Sequence, residues 1–577
     1  MHAAGLGFII MQKLKNRFRQ LTNAVRYLAR GDFSGLSRRL RWYQEEQKRV
    51  KLHRRVVSGD GRVWGILCTP HTLFIANAIS RHLSTHGIDN EIMTGDLQDF
   101  GHDFYIVLCP QMFKRLPHPN KRAVFQLEQT VNSRWFTNEY VKILNESASV
   151  LDYSLSNIDF LSLKGIKYPK VHYLPIGAVQ RADLEETYKK YDFVFYGDNL
   201  SSERRRIFLS RLKRKYKVKI CNDLFEEEMY SIIRQAKAVI NIHYYEGALL
   251  EMTRICECIS LGVPVLSEGT LDQAEYPELE GAVRFFDEGS VESMMSAAAD
   301  LIDNIETVNR AVCASVSRSA KRFDFMMDRF LVALGAIPAS VILEKPIYAA
   351  QSSTFFALSL PETIDRRKVI AQALPKDCEV FDGIRHRTGW IGCGCSFNAL
   401  SRYALNNDLK RLTVMEDDVI LPDDFDGALL EVNQYLDSRK LDWDIFSGLM
   451  ADIHPEVKVL SVEIIGTRTY VTIDKMTSMV FNIYNGGALR LLSEWNPLDG
   501  EIVTNTIDRY LENQNGLRVV VCLPFLVGYN EDAISTLWGV NNNQYLPMIE
   551  RAEKKIERLV GDWRQEQSQL DDRERKK

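Results

Sequence analysis

Residues 63–87 read VWGILCTPHTLFIANAISRHLSTHG, a short apolar run followed by a longer segment of mixed polarity. The first eight residues indicate a buried strand, and the segment from Phe74 onwards predicts a helix that ends at Gly87. A buried strand followed at once by a helix is the repeating unit of parallel α/β folds. This stretch therefore decides the fold class that we expect for the first half of the chain.

The same alternation of short apolar runs and helical segments continues to about residue 303. A first series of runs is followed by a second series, which begins at residue 192. The runs of the first series lie at 104–110, 122–128 and 170–177, and those of the second at 192–197, 217–221, 238–244, 263–268 and 282–286. Two successive doubly wound units predict a ligand cleft between them, at the carboxyl ends of the strands.

The chain of 577 residues is too long for a single hydrophobic core. We expect it to be divided where the sequence pattern changes. The expected parts are a basic helical segment at 1–58, paired Rossmann-type units at 59–340 with halves 59–185 and 186–340, a third globular α/β region at 350–545, and a polar helical tail at 546–577. Its 45% apolar and 26% charged residues are typical of globular proteins.

Composition also argues against some classes of protein. No segment reaches the roughly 18–20 apolar residues that span a bilayer, and no signal-peptide cleavage site follows the apolar start of the sequence. The ten cysteines form no CxxC pair, and the two CxC pairs lack a second pair at zinc-site spacing. We therefore predict reduced thiols and a cytoplasmic location.

Residues 13–55 form a strongly basic segment, with fourteen Lys or Arg residues against three Asp or Glu. Leu14, Phe18, Leu21 and Val25 recur at helical spacing within it. Such a segment can lie on an anionic leaflet, so we predict peripheral contact with the inner face of the cytoplasmic membrane. The alternative is a solvated helix packed on its own domain. Nucleic acid is not an expected partner, because no reader motif accompanies the charge.

A glycine and several arginines follow the run at 192–197. Gly197 permits close approach of the backbone, and Arg204 lies in the turn or helix start that follows. A helix start with arginines suits a diphosphate. The alternative is a solvated basic helix.

Residues 243–268 read HYYEGALLEMTRICECISLGVPVLSE. This stretch resembles the nucleotide-sugar half of GT-B glycosyltransferases, in which a helix carries a carboxylate for the ribose of the nucleotide sugar just before a GxPV strand. The resemblance implies that Glu257 binds the ribose hydroxyls and that His243 and Arg254 face the phosphates. The first half of the chain is therefore expected to be GT-B-like, with no cofactor.

The family's Glu-x7-Glu pattern is incomplete in this sequence. Its first glutamate falls on Leu249, and Glu246 or Glu251 is the candidate replacement.

On the other side of the cleft we expect His71, which follows the first strand, and Glu128 as catalytic or acceptor-side groups. The alternative for His71 is a purely structural histidine.

Residues 411–425 read RLTVMEDDVILPDDF, in which an apolar strand ends in three acids. Alternation along a strand predicts that Glu416 and Asp418 point one way and Asp417 the other. Carboxylates placed in this way can bind a hard divalent cation through oxygen. The alternative is a turn with helix-capping acids, a description that suits Asp423 and Asp424 better.

Three stretches in order resemble glycosyltransferase family 25, which contains lipopolysaccharide and collagen-type sugar transferases. They are FFALSLPETIDRRKVI at 355–370, FDGIRHRTGWIGCGCSFNALSRYAL at 381–405 and LTVMEDDVILPDDF at 412–425. The resemblance covers roughly 355–540 and implies a GT-A-like mixed-sheet domain. One element departs from the family, since Phe397 stands where it has a histidine.

The family 25 resemblance also implies roles for single residues. Arg366 and Arg367 are expected at the nucleotide end, and Asp417 and Asp418 in the motif that binds Mn²⁺ or Mg²⁺. Asp508 is expected on the acceptor side as the catalytic base.

These resemblances predict a bifunctional glycosyltransferase that uses nucleotide-sugar donors. Its expected acceptor is a growing, lipid-linked bacterial surface glycan such as an O antigen, a lipooligosaccharide or a capsule. The alternative is one active family 25-like transferase, with the GT-B-like region as a glycan-binding or assembly module.

Overall fold

The computed structural model describes residues 62–347 and 353–575 with gaps at 132–134, 181–186, 223, 225, 440–441, 501 and 538, and the isolated positions 37, 40, 41 and 44. The predicted basic segment at 1–58 thus lies almost wholly outside the described residues. The described chain forms two compact units, one of residues 62–347 with Pro361–Asp365 and one of residues 353–360 with Arg366 onwards. In the described part of the chain, no helix is long and apolar enough to cross a membrane.

The first unit begins with a six-stranded sheet in which every neighbouring pair is parallel, in the order β2-β1-β3-β4-β5-β6. Its elements are β1 (Val63–Cys68), α1 (Leu73–Thr85), β2 (Asp89–Thr94), β3 (Phe104–Leu108), β4 (Arg122–Gln126), α2 (Asn138–Glu146), β5 (Ser149–Asp152), α3 (Leu155–Leu163) and β6 (Val171–Tyr173).

The predicted buried runs of this sheet are confirmed as strands. Every residue of β3 and β4 is buried, because helices cover both faces of a parallel sheet. The strand β2 was not predicted from the sequence. Its residues, DNEIMT, are exposed or partly exposed, because it is an edge strand that pairs with β1 alone.

A second parallel sheet follows in the same unit, in the order β11-β10-β9-β7-β8. Its elements are β7 (Tyr191–Tyr196), α4 (Glu203–Lys213), β8 (Val218–Cys221), α5 (Glu226–Arg234), β9 (Ala236–Asn241), α6 (Met252–Ser260), β10 (Val265–Glu268), β11 (Val283–Phe286), α7 (Val291–Asp303), α8 (Ile305–Leu334) and α9 (Ala339–Leu343). The α/β fold with parallel sheets that the sequence predicts is thereby confirmed.

The long helix α8 follows the second sheet and packs back against the first half of the unit. A Cβ atom built on Gly177, just after β6, would lie 2.3 Å from the Cβ of Phe323 on α8. The helix ends at Gly335, whose φ of 73° is in the left-handed region that glycine adopts without strain.

The second unit contains an eight-stranded mixed sheet, in the order β13-β12-β14-β19-β16-β20-β18-β17, and a two-stranded sheet of β15 and β21. Its strands are β12 (Phe355–Ser359), β13 (Glu379–Asp382), β14 (Arg411–Glu416), β15 (Val419–Ile420), β16 (Ile445–Ser447), β17 (Val459–Ile465), β18 (Arg468–Ile473), β19 (Phe481–Asn485), β20 (Val519–Leu523) and β21 (Gly528–Tyr529). Its helices are α10 (Ile364–Gln372), whose first two residues are counted with the first unit, α11 (Gly389–Asn406), α12 (Phe425–Ser438), α13 (Gly486–Glu494), α14 (Ile507–Glu512) and α15 (Leu546–Arg575).

Two glycines of the IGCGCS motif allow α11 to pack closely on its surroundings. A Cβ on Gly392 would lie 2.7 Å from the carbonyl oxygen of Ile384, and one on Gly394 would lie 2.4 Å from the indole ring of Trp495. Trp495 is 2% exposed, so its ring has little room to move. These glycines of the motif therefore have a packing role.

We predict that Gly394→Ala destabilises the protein by about 1–3 kcal/mol, because the added methyl group overpacks the contact with Trp495. Alanine normally stabilises a helix relative to glycine by about 1 kcal/mol. The matched control is Gly561→Ala on the exposed side of α15, where a Cβ meets no atom within 4 Å. Urea unfolding should therefore shift in opposite directions for the two variants. Stabilisation by Gly394→Ala would contradict the packing role.

Candidate active sites in the two units

The first unit has a cleft of about 700 Å³ between its two sheets. One wall is formed by residues that follow β1, β4 and β5, and the other by residues that follow β7 and β8, together with α5 and α6. The carboxyl ends of the two parallel sheets therefore face one space. This is where ligands bind in doubly wound folds.

The cleft brings together most of the residues that the sequence nominated in this unit. His71 and Glu128 line one wall, and the other is lined by Gly197, Glu251, Arg254 and Glu257. Arg204 and His243 do not line the cleft.

Glu257 is held at the cleft by two tyrosines. The hydroxyl of Tyr196 donates to Oε2 at 3.1 Å, and the hydroxyl of Tyr230 donates to Oε1 at 2.9 Å. Burial raises the pKa of Tyr196 well above its ordinary value, so it stays a neutral donor. A carboxylate that lines the cleft in a fixed orientation can accept hydrogen bonds from ligand hydroxyls.

Gly197 lies directly under the guanidinium of Arg254. Its φ of 118° belongs to the region that favours glycine, and a Cβ there would lie 3.3 Å from Nη2 of Arg254. Nη1 of Arg254 donates to the carbonyl oxygen of Tyr196 at 2.9 Å. Because Gly197 has no side chain, its backbone and the guanidinium of Arg254 lie side by side at the cleft.

Glu251 is the centre of a charged network. Its carboxylate lies 3.1 Å from Nε of Arg254, 3.4 Å from Nη2 of Arg205 and 3.7 Å from Nδ1 of His243. Burial disfavours the charge, but Arg254, His243 and Arg205 hold the pKa of Glu251 well below its ordinary value. The carboxylate is therefore ionised and fixes the orientation of Arg254.

Arg204 and His243 both contact a different acid, the fully buried Glu268. The guanidinium of Arg204 forks onto both oxygens of Glu268, and the backbone N–H of His243 donates to Oε2 at 3.0 Å. The N–H of Gly289 donates to the same carboxylate at 2.8 Å. Arg204 thus neutralises a buried carboxylate instead of projecting into the cleft.

Leu249, which stands where the Glu-x7-Glu pattern has its first glutamate, is held through its backbone. The side-chain amide of Gln129 bonds both the N–H and the C=O of Leu249, each at 3.1 Å. Of the two candidate replacements, Glu251 lines the cleft, whereas Glu246 is exposed and does not.

The wall of the first sheet is fixed by buried amides. Nε2 of Gln126 donates to Oδ2 of Asp152 at 3.0 Å, and its Oε1 accepts the backbone N–H of Glu128. Nε2 of Gln111 donates to the carboxylate of Glu128 at 2.7 Å. Burial raises the pKa of Asp152 to about 8, against the effect of the hydrogen bonds that it accepts. His71, by contrast, is exposed at the mouth of this wall.

Two residues of the cleft, Tyr196 and Tyr230, were not predicted from the sequence. Tyr196 directly precedes Gly197 at the end of β7, so its position at the strand end was a usable signal. Tyr230 lies on α5, and nothing in its spacing points to Glu257.

In the second unit, β14 ends at Glu416, and Asp417 and Asp418 lie in the turn that follows. The expectation that strand alternation separates the acids is therefore wrong. Asp417 and Asp418 both contact Nη2 of Arg366, with 3.1 Å between Nη2 and Oδ2 of Asp418. Oγ of Ser359 also donates to Oδ2 of Asp417 at 2.7 Å.

Arg366 and Arg367, which the sequence treats as a pair, contact different groups. Arg367 donates from Nη1 to Asp382 at 2.6 Å, while Arg366 bonds the acids after β14. Only Arg366 of the two is seen at the acid cluster. As the sequence indicates, Asp424 stands at the start of a helix, α12.

A buried oxygen of the acid cluster accepts no hydrogen bond from the described residues. Oδ2 of Asp418 accepts from Nδ2 of Asn542 at 2.9 Å, but within the described part of the chain its buried Oδ1 has no such donor. Burial, together with the charge of Asp418, raises the pKa of Glu416, and Asp508 contributes in the same direction. Asp508 in the first turn of α14 is thus close enough to act on the cluster electrostatically.

Oδ1 of Asp418 has the chemistry of a divalent-cation ligand. A buried carboxylate oxygen without a partner is the kind of ligand that such a cation takes. The ligand oxygens of Glu416, Asp417 and Asp418 do not all lie within 4.8 Å of one another in the described structure, so a cation held by all three would require their side chains to move. Arg366 offsets the charge of Asp417 and Asp418.

Comparison with known proteins gives limited similarity. No family model matches the sequence. The uncharacterized protein L140 of Acanthamoeba polyphaga mimivirus is 26% identical over 175 residues, which are 29% of this chain and 55% of that protein. The chain thus spans about half the length of this curated relative.

Several solved structures are similar over about half of the chain. Anabaena Alr3699/HepE in complex with UDP is 10% identical, with a TM-score of 0.32 over 48% of this chain and all of that one. A glycosyltransferase from Rickettsia africae has the same identity and TM-score over 50% of this chain and all of its own. A protein from Listeria monocytogenes described as a "putative UDP-N-acetylglucosamine 2-epimerase" is 12% identical. Its TM-score is 0.31 over 48% of this chain and 96% of that one. At such scores the likeness supports no inference about activity.

We predict that Glu251→Gln destabilises the protein by about 3–5 kcal/mol, because it leaves the buried guanidinium groups of Arg205 and Arg254 without their anion. The matched control is Glu246→Gln, an exposed glutamate in the same segment, which should change stability by less than about 0.5 kcal/mol. Thermal unfolding of the two variants measures the difference. Equal stability would show that the Glu251 network does not support the fold.

Proposed function

We propose that the protein is a glycosyltransferase that takes sugars from nucleotide-sugar donors. The observation that carries this proposal is the cleft of the first unit, in which Glu257, Arg254 and Gly197 lie together on one wall. A nucleoside diphosphate has hydroxyl groups that a carboxylate can bind and phosphates that a guanidinium can bind. The glycine lets the backbone approach the ligand closely.

Each group of that wall has a defined task in this proposal. The carboxylate of Glu257, oriented by Tyr196 and Tyr230, accepts hydrogen bonds from the ribose hydroxyls. Arg254, oriented by Glu251, neutralises charge on the diphosphate as it leaves. A fixed guanidinium stabilises a departing diphosphate without reorganisation during the reaction.

The opposite wall supplies the groups for the acceptor. Glu128 is fixed through its backbone by Gln126 and through its side chain by Gln111, and His71 is exposed at the mouth. Either group takes the proton from an acceptor hydroxyl in this proposal, since both are general bases in other enzymes.

The second unit carries the other proposed transfer site. In this proposal the side chains of Glu416, Asp417 and Asp418 move together to hold a divalent cation, Mn²⁺ or Mg²⁺, and the buried Oδ1 of Asp418 supports the proposal. Such a cation, when bound, supplies Lewis-acid stabilisation of a diphosphate. Arg366 contributes a fixed positive charge at the same place, and Asp508 is the proposed base for the acceptor hydroxyl.

Two sites on one chain suit alternating additions to one growing glycan, because the covalent link raises the effective concentration of the acceptor. The proposed acceptor is a lipid-linked bacterial surface glycan. The basic residues 13–55 would hold the protein at the inner face of the cytoplasmic membrane, beside that lipid.

One observation favours a second candidate function. The position of the family's first glutamate is Leu249, whose backbone is bonded to Gln129, and Glu251 is engaged by arginines. The first unit is then a glycan-binding or assembly module, and transfer takes place in the second unit alone.

We predict that Glu257→Ala in the full chain weakens nucleotide binding at the first unit by roughly 10- to 100-fold, the value of hydrogen bonds to a charged group. Tyr230→Phe should have a smaller effect, because the carboxylate remains. Glu228→Ala, an exposed change on the same helix as Tyr230, is the matched control. Calorimetric titration with a panel of nucleotide sugars tests this. Unchanged affinity in Glu257→Ala would remove the first unit from the proposed function.

We predict that Asp418→Ala lowers the rate of sugar transfer that depends on a divalent cation by about 10²-fold or more. Asp423→Ala, five residues further on and exposed, should keep this activity. Transfer from each nucleotide sugar is measured with and without manganese. If full activity remains in Asp418→Ala, or if no donor is used at all, the proposal for the second unit is wrong.

A further inference from the structure

Two histidines and an aspartate of the first unit converge away from the cleft lining. His82 lies in the last turn of α1, His86 is the residue that directly follows this helix, and Asp328 lies on α8. Nε2 of His82 and Nε2 of His86 each lie 2.7 Å from the same oxygen, Oδ1 of Asp328. Among the described residues, this is the group of His, Cys, Asp and Glu whose ligand atoms come within 4.8 Å of one another.

The three side chains are buried, although the cluster lies close to the surface. Their exposed fractions are 4% for His82, 8% for His86 and 0% for Asp328. Two neighbours at the edge are more exposed, namely Asp324 at 55% and Lys345 at 40%. The cluster is therefore enclosed, with these two more exposed side chains at its edge.

We propose that His82, His86 and Asp328 bind a divalent transition-metal ion of the zinc type. The two imidazoles already face the same carboxylate oxygen, and this carboxylate, from another helix, supplies a third ligand. Two imidazole nitrogens and one carboxylate oxygen are the ligand atoms of many zinc sites, which keep a fourth position for water.

The distances are close to those of a tetrahedral site. Ligand atoms at about 2.0–2.1 Å from zinc are about 3.3 Å apart, so Oδ1 of Asp328 would move by roughly 0.6 Å from each imidazole nitrogen. A shift of this size needs only small rotations of side chains. On binding, the ion replaces the protons through which Nε2 of each histidine bonds Asp328.

The surroundings of His82 support the assignment. Its other ring nitrogen, Nδ1, lies 2.9 Å from Oδ1 of Asp324. A carboxylate bonded to the far nitrogen of a ligating histidine fixes the tautomer and the orientation of the ring. Asp324 lies one turn before Asp328 on α8, so this helix supplies both the ligand and the orienting group.

Lys345 should weaken the binding of a metal ion by the cluster. Its ammonium bonds Oδ2 of Asp328, the oxygen that does not face the histidines. It lowers the negative charge available to a cation, while leaving Oδ1 as the ligand atom. Removal of this ammonium should therefore tighten metal binding, which a purely hydrogen-bonded cluster does not predict.

The proposed ion would join two distant parts of the unit. Helix α1 belongs to the first sheet, and its first residues, Leu73 and Phe74, line the cleft. Helix α8 follows the second sheet. A metal bridge between them would hold α1 in place beneath the acceptor wall without contacting a substrate.

The test uses the full-length protein, stripped with a chelator and dialysed against Zn²⁺, with bound metal measured by mass spectrometry. We expect His86→Gln, and Asp328→Asn as a second variant, to hold one zinc equivalent fewer per chain than the wild type. His102→Gln is the matched control, because this histidine also bonds a carboxylate, that of Glu91, in the same half of the unit. Circular dichroism verifies that each variant is folded.

Two further readouts separate the site from other zinc-binding groups. Co²⁺ in the wild type should give the visible absorption of a tetrahedral site, lost in His86→Gln and stronger at limiting Co²⁺ in Lys345→Met. Zinc should also raise the unfolding temperature of the wild type and of His102→Gln by several degrees, but not that of His86→Gln. Equal zinc content in wild type and His86→Gln, or weaker binding in Lys345→Met, would overturn the proposal.

Discussion

The parallel direction of the strands is the constraint on which the first unit depends. In a parallel sheet the carboxyl ends of neighbouring strands lie at one edge, so the residues that follow β1, β4 and β5 are neighbours although the chain separates them widely. The same holds for the residues that follow β7 and β8. The cleft is the space where these two edges face each other, and its chemical groups come from the first residues after each strand.

Buried acids in both units are matched by arginines from the same unit. Arg204 neutralises Glu268, while Arg205 and Arg254 neutralise Glu251. Arg366 does the same for the two aspartates after β14. Because an unpaired buried charge is costly, these pairs hold the acids in fixed positions before any ligand binds. The candidate sites are therefore preorganised, and a ligand would exchange one set of charged partners for another.

The sequence was informative where structure is local. The buried runs of β1, β3 and β4 and the grouping of Glu257, Arg254 and Gly197 could be predicted, since strands and strand ends leave a pattern in adjacent residues. Partners far apart in the chain could not. Arg204 meets Glu268, which is 64 residues away, and His82 meets Asp328, which is 246 residues away. No spacing rule encodes such contacts, because they depend on how helices pack on the finished sheets. The edge strand β2 was not predicted, because its exposed and partly exposed residues do not form an apolar run.

The return of α8 to the first half of its unit has a consequence for synthesis on the ribosome. Two residues that face it, Gly177 just after β6 and His82 on α1, are made more than 140 residues earlier than Phe323 and Asp328. Domains generally fold from the amino terminus as they emerge. The surface of the first half that α8 covers therefore stays exposed while the second sheet is synthesised. It is covered once α8 has been synthesised. Protection of that surface by a chaperone during this interval would favour correct folding.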